Sequence, residues 1–289
     1  MKIDLHMHTT ASDGLLKPAE LVELAVSKKL AAIAITDHDT IDGISEAVSA
    51  AGGRIEIIPG CEISCDDPGF VDIHVLGLFL DIHDQGLRKL LAKAKEERIN
   101  QKKQMIKKLN SLGLKITFEE VQAIASGEVG RPHLARIVLK NNPEKITSIQ
   151  QVFDEYLGTG KKAYVERKSK ISIKQAVDAI HAAQGLALLC HPGVYMKGMD
   201  IKLINYFISA GGDGIETYYP YHKNCKGVTQ KESDEKRIQY LAIAARKKCL
   251  ASGGSDFHGN QRADMGEEFI DYEVLTKLKE ARGEQDGVA

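Results

Sequence analysis

The chain has 289 residues, 43% hydrophobic and 27% charged, with 7 prolines, 26 glycines and no tryptophan, a composition that excludes collagen-like, disordered and disulfide-scaffold classes. Thirty-nine Lys and Arg stand against 40 Asp and Glu, a net charge of −1, so no global field draws nucleic acid or an anionic membrane, and such a partner would need a local basic surface. No stretch approaches about 18 uninterrupted apolar residues, and the N-terminal segment lacks the basic and apolar regions of an export signal. The five cysteines (Cys61, Cys65, Cys190, Cys225, Cys249) follow no framework spacing, which suits a reducing cytoplasm, and Cys61 and Cys65 read as small core residues.

The first third alternates strand and helix. Residues 2–6 read as a strand, and Pro18 opens a helix in the tolerated first position that ends near Lys29. Residues 31–35 form an apolar run of strand length, followed by a helix over 41–51 that stops at Gly52-Gly53. Residues 55–58 and 71–76 read as two further strands, and the repeated order argues for parallel sheet. From about 84 to 164 the pattern turns all-helical. A long helix covers 87–109, and three shorter ones start at Thr117 (with Glu120 three residues on), Pro132 and Ser148. Alternation resumes with a capping pair Ser172 and Gln175, strands over 186–190, 213–217 and 249–253, helices over 201–210 and 233–248, and a terminal helix ending near Ala281. The expectation is an α/β chain with seven strands, each with a helical partner. A barrel from 1–83 and 165–289 would carry a helical insert, 84–164, over its active site. A closed or nearly closed barrel fits better than an open sheet, because no Gly-x-Gly-x-x-Gly follows the first strand.

The ten histidines are not scattered. His6 and His8 end the first strand and point to the same side. Asp37-His38-Asp39 ends the second, Glu62 closes the third and His74 lies in the fourth. His191 follows the fifth, and Asp256-Phe257-His258 follows the seventh. In a parallel barrel the C-terminal strand ends meet on one face, where active sites sit. Imidazoles mixed with carboxylates suit manganese, iron or zinc rather than calcium or magnesium. The candidates are too many for one ion, so two or three clustered divalent ions follow, and such a cluster implies hydrolysis.

The motifs Asp4-Leu5-His6-Met7-His8-Thr9-Thr10, Ser12-Asp13-Gly14, Thr36-Asp37-His38-Asp39-Thr40, Gly60-Cys61-Glu62-Ile63-Ser64, His74-Val75-Leu76-Gly77, His191-Pro192-Gly193 and Gly254-Ser255-Asp256-Phe257-His258-Gly259 resemble those of the PHP (polymerase and histidinol phosphatase) phosphoesterases. Within the insert, Gly130-Arg131-Pro132-His133 and residues 162–167 resemble the bacterial branch of nucleoside 3',5'-bisphosphate phosphatases and a 5'-to-3' exoribonuclease. The resemblance implies a distorted (β/α)7 barrel with a trinuclear site, manganese being the first choice and iron or zinc the others. His6, His8, Glu62 and Asp256 would hold the first ion. Glu62 would bridge to a second held by His74 and His191, and Asp13, His38 and His258 would take a third. Asp13 stands where other branches can place His.

The implied reaction is in-line attack on phosphorus by a metal-bridging hydroxide, with Glu62, His191, Asp256 and His258 as catalytic residues. Arg131 and His133, beside a proline at a helix start, are candidate phosphate contacts, as are Lys162 and Arg167. His222, after the sixth strand, is another. Asp37 and Asp39 read as orienters or caps rather than ligands, and Glu216 at the end of the sixth strand reads the same way. The 87–109 helix carries Arg88, Lys89, Lys93, Lys95, Arg98, Lys102, Lys103, Lys107 and Lys108 against Glu96 and Glu97. Such a face is ordinarily solvated, and it would also suit an RNA chain. The expected function is removal of the 5'-phosphate from a nucleotide, foremost a nucleoside 3',5'-bisphosphate, in the cytoplasm, with no obligatory protein partner. A 5'-to-3' exonuclease on short RNA is the close alternative. A histidinol-phosphate phosphatase would have no evident need of the basic insert. A metal-binding regulatory module would have no need of a multinuclear cluster with open positions.

Overall fold

A computed structural model describes residues 1–125, 129–166, 170–195, 198–259 and 262–283. Eight strands run as β1 (Lys2–Asp4), β2 (Ala32–Ile35), β3 (Glu56–Asp67), β4 (Phe70–Leu78), β5 (Leu186–Leu189), β6 (Gly214–Tyr218), β7 (Leu250–Gly253) and β8 (Ile270–Asp271). The helices are α1 (Pro18–Ser27), α2 (Ile44–Ala51), α3 (Gln85–Ser111), α4 (Phe118–Ile124), α5 (Arg131–Asn141), α6 (Ile149–Val152), α7 (Ile173–Ala182), α8 (Asp200–Ser209), α9 (Tyr221–Asn224), α10 (Gln230–Lys247) and α11 (Tyr272–Arg282). Local chemistry explains the helix starts. Ser172 Oγ accepts from Gln175 N at 3.1 Å while Gln175 returns a bond to Ser172 N at 3.0 Å. Thr117 with Glu120 and Thr229 with Glu232 make the same reciprocal pairs. The second of these was available in the sequence and places the α10 start three residues before the expected one.

The sheet order is β7-β6-β5-β4-β3-β2-β1-β8. Parallel pairing joins β1 to β2, β2 to β3, β5 to β6 and β6 to β7. The expected uniform parallel sheet is corrected in its middle: β4 runs antiparallel to both β3 and β5. A tight turn at Gly69, whose φ is +85°, makes β3 and β4 a hairpin, so no helix lies between them. The short β8, absent from the expected set, pairs antiparallel with β1 through Ile3 and Ile270. Beyond the strand ends the sheet curls until β7 meets β1. Leu5 N donates to Gly253 O at 3.2 Å, Asp256 N to His6 O at 2.9 Å and His8 N to Phe257 O at 2.9 Å. The result is a nearly closed barrel with flanking helices.

Residues 1–91 and 171–289 form one compact unit and 92–170 another, with the division falling inside α3 rather than at its start. In the first, Ile3, Leu5, Ala34, Leu76, Leu78 and Leu188 fill one buried cluster, and Leu21, Val22, Ile33, Ile35 and Ala47 pack the α1 and α2 faces onto β2. The second has its own core of Met105, Leu109, Val121, Leu134, Val138 and Leu157. Within it Lys102, expected on a solvated face, is buried, with Nζ 2.7 Å from Gln101 Oε1. Among the described residues no helix is long and apolar enough to cross a membrane.

Candidate metal centre

The strand ends gather six of the ten histidines. His6 and His8 leave β1 on one side of an extended segment whose Met7 bridges Phe257. His38 follows β2 and pairs with Glu62. Glu62 lies in the middle of β3 rather than at its end, because the strand continues into the hairpin. His74 sits at the midpoint of β4. Since that strand is reversed, His74 lies opposite Ser64, two residues beyond Glu62. His191 follows β5 with φ +31°, and Asp256 follows β7 with φ +56°.

Glu62 is the centre of the cluster. Its Oε1 lies 2.8 Å from His74 Nδ1 and 3.1 Å from His191 Nε2. Its Oε2 lies 2.9 Å from His38 Nδ1, 3.2 Å from His8 Nε2 and 3.3 Å from His6 Nε2. Asp256 Oδ1 is 3.1 Å from His8 Nε2 and 3.5 Å from His258 Nδ1. Asp13, exposed at the rim, brings its Oδ1 to 3.4 Å from His258 Nε2, 3.8 Å from His8 Nδ1 and 4.0 Å from His38 Nε2. Possible ligand atoms of His6, His8, Glu62 and Asp256 all lie within 4.8 Å of one another, as do those of His8, Asp13, His38 and His258. All nine residues expected to ligate metal therefore converge. Cys190, which no sequence spacing singles out, adds a buried thiol beside Glu62 and His191, and burial pushes its pKa up.

Several of these buried atoms lie close to one another without making a well-aligned hydrogen bond: His6 Nε2, both ring nitrogens of His8, His38 Nδ1, Glu62 Oε2 and His191 Nδ1. Unsatisfied polar atoms are costly inside a protein. The residues that carry them fall into groups whose possible ligand atoms lie within 4.8 Å of one another, and their mixture of imidazole and carboxylate is the donor set that divalent transition metals accept. The charge balance agrees. Burial opposes the imidazolium of His8, yet Asp256 and Glu62 outweigh it and raise its pKa to about 10. His6 is raised against burial by Glu216 and Glu62, and His74 by Glu62. His38 goes the other way, lowered by burial that Glu62 and Asp13 do not overcome. Burial would lift Glu62, but His38, His74 and His6 hold it well below the ordinary carboxylate range. Without metal, protons supply the positive charge that the carboxylates demand.

That balance sets a pH dependence. The raised folded-state pKa of His8 stabilises the metal-free protein fully below the unfolded imidazole value, near 6.5, and the contribution is lost as pH rises toward about 10. The metal-free protein should therefore melt at a lower temperature at pH 9.5 than at pH 6.5. Manganese addition at pH 7.5 should release protons, because the ligand imidazoles must be neutral. Calorimetry in buffers of different ionisation enthalpy measures that release, and none would show that the imidazoles do not meet the metal.

Around the cluster, further side chains fix geometry. Glu216 Oε1 meets His6 Nδ1 at 2.9 Å and its Oε2 accepts from His191 N at 2.8 Å, so one carboxylate sets the ring of one residue and the backbone of another. Tyr219 donates its hydroxyl to Asp256 Oδ2 at 2.9 Å, leaving Oδ1 to the cluster. Asp37 accepts from Thr9 N, Thr9 Oγ1 and Ser12 Oγ, tying down the loop that carries Asp13, and Asp39 Oδ1 accepts from Ser64 N. Neither Asp37 nor Asp39 belongs to the ligand groupings. Buried Asp4 holds the 255 loop, accepting from Ser255 N, Ser255 Oγ and Gly266 N.

The cluster opens into a cavity of about 280 Å³, whose lining also includes Val194, Tyr219, Asn224, Cys225 and Arg262. His222, expected here, is not part of that lining. Its Nδ1 lies 3.4 Å from Ser233 Oγ and its Nε2 3.8 Å from Glu267, because α9 turns it toward α10. In the helical unit, Arg131 opens α5, His133 Nδ1 accepts from Gly130 N at 3.0 Å, and Lys162 Nζ lies 5.4 Å from the centre of the Tyr156 ring. Arg167 lies outside the described residues. Sequence spacing missed Tyr219 as a holder of Asp256 and missed Arg262, because neither belongs to a periodic or paired motif.

Comparison with known proteins agrees with this geometry. Residues 4–170 match the PHP domain family. The 5'-3' exoribonuclease of Haemophilus influenzae is 39% identical over 261 residues, covering 89% of this chain and 90% of that protein. The 3',5'-nucleoside bisphosphate phosphatase of Chromobacterium violaceum is 33% identical over 271 residues, covering 91% and 90%. Among solved structures, a Bifidobacterium adolescentis protein assigned as a metal-dependent phosphoesterase aligns with a TM-score of 0.79 at 27% identity, over 98% of this chain and 97% of that one.

Proposed function

We propose, for a chain that belongs to the PHP domain family and is a phosphoesterase, that it removes the 5'-phosphate from nucleotides, with nucleoside 3',5'-bisphosphates as the foremost substrates. The observation that carries the reading is that one buried carboxylate, Glu62, is faced by five imidazoles. His6, His8, Glu62 and Asp256 would hold one divalent ion, Glu62 with His74 and His191 a second, and Asp13, His38 and His258 a third. Bound manganese, or iron or zinc, would supply Lewis-acid stabilisation of the phosphoryl oxygens and an activated water at neutral pH. The protein's own part is to hold that geometry. Glu216 fixes the tautomer and direction of His6, and Tyr219 restricts Asp256 to one free oxygen. Arg131, His133 and Lys162 remain the candidate phosphate contacts of the helical unit, with Arg167 beside them in sequence.

A second reading is favoured by the similarity to the H. influenzae exoribonuclease. The same site would then act on the 5' end of short RNA, and the exposed lysines of α3 would serve the chain.

Product analysis separates the two. Manganese-loaded protein is given adenosine 3',5'-bisphosphate, 5'-monophosphorylated short RNA and histidinol phosphate in parallel, with Asp256→Ala as control. Rapid inorganic phosphate from the bisphosphate with little RNA shortening is the expected result. Stepwise mononucleotide release from RNA would establish the second reading, and turnover of histidinol phosphate alone would overturn both.

A further inference from the structure

Resting on the reading of a substrate with more than one phosphate, we infer that Arg262 is the seat for the anionic group remote from the bond that is cut. Arg262 is the one Lys or Arg among the described residues lining the cavity of the metal cluster. The cluster itself is rich in ligand atoms and suited to the phosphoryl group that reacts. The remainder of the lining, Val194, Tyr219, Asn224 and Cys225, offers no other cation to a second phosphate. A guanidinium recognises phosphate oxygens in bidentate fashion.

The position of Arg262 is built rather than incidental. Asn224 joins two loops through one amide: its Nδ2 donates to Ser255 O at 3.0 Å, and its Oδ1 accepts from Ala263 N at 3.1 Å. Ser255 immediately precedes the metal-facing Asp256, and Ala263 immediately follows Arg262. The Asn224 amide therefore ties the backbone beside the cluster's carboxylate to the backbone beside the guanidinium. A substrate that places one phosphate at the cluster meets this cation on the lining of the same cavity. A 3',5'-bisphosphate or the next phosphodiester of a 5'-phosphorylated chain has that chemistry, and a monophosphate lacks it.

The test uses manganese-loaded native, Arg262→Ala and Arg262→Lys proteins. For Arg262→Ala, kcat/KM on adenosine 3',5'-bisphosphate should fall about 10- to 100-fold, the range for losing a charge-assisted contact, mainly through KM. The loss on adenosine 5'-monophosphate should be at least about tenfold smaller. The dissociation constant of adenosine 3'-monophosphate, read by calorimetry, should rise by a similar factor to the bisphosphate loss, and Arg262→Lys should recover part of it because charge is kept and the planar fork is not. Metal content should equal that of the native protein. Equal losses on the two substrates, an unchanged dissociation constant or a loss of metal would each overturn the assignment. If the native protein fails to turn over the bisphosphate, the proposed function falls, while the calorimetry still decides whether Arg262 seats an anion.

Discussion

Replacing Glu62 by Gln should lower kcat on the order of a thousandfold or more, the scale of losing a central electrostatic contact, and strip most of the bound metal. The substitution keeps the shape and removes one negative charge. It also turns one oxygen into an N–H donor, and neither side of Glu62 tolerates that. Oε1 faces His74 and His191, and Oε2 faces His6, His8 and His38. Whichever way the amide sits, it presents hydrogens to atoms that would face a cation. Removing one member of a buried charged network also costs about 3–5 kcal/mol, so the metal-free variant should melt earlier than metal-free native protein. Elemental analysis, steady-state rates and thermal unfolding read the three effects. A variant with native metal content and native kcat would show that Glu62 is not the shared group of the site.

Gly254→Ala should be nearly as damaging although it alters no ligand. A Cβ there would lie 2.4 Å from the backbone N of His6, 2.4 Å from its Cβ and 2.8 Å from its Cα. This is where β7 closes against the continuation of β1, and all three atoms are backbone or directly backbone-anchored, so nothing flexible can yield. Forcing such contacts costs about 1–3 kcal/mol or more, equivalent at 3 kcal/mol to roughly 6–12 °C in Tm for a domain of this size. Moving His6 also removes its ring from Glu62 and Glu216, so metal affinity should fall together with Tm. A variant that melts within about 1 °C of native, below the expected shift, and binds metal normally would mean the barrel seam is looser than the structure shows.

Most of the clustered histidines and carboxylates were legible because they sit in short motifs just beyond strand ends, where chain geometry leaves few directions for a side chain, while Glu62 and His74 lie within the β3–β4 hairpin. The hairpin was less legible. Residues 55–58 read as a buried strand with a helix due to follow, yet Asp67-Pro68-Gly69 carries the turn chemistry that reverses the chain, and the alternation of β3 continues straight through Glu62 to reach it. β8 has two residues and no pattern to detect. Glu216, Tyr219 and Asn224 hold the site through contacts between residues 25 to 210 positions apart, and no local spacing encodes these. His222 shows the converse. Its place after β6 suggested the open face, but the first turn of α9 rotates it onto α10.

The reversed strand β4 has a consequence for how the cluster is assembled in time. Glu62 and His74 are only 12 residues apart and are brought together by a tight hairpin, a contact that forms early because its loop closure is cheap. Asp4 and Ser255, whose bond fixes the far side of the cluster, are 251 residues apart. The candidate ligand set thus joins one short-range contact to long-range ones, which cost more loop-closure entropy. The hairpin by itself sets two of the nine candidate ligands, Glu62 and His74, and the complete set requires β7 to close on the continuation of β1.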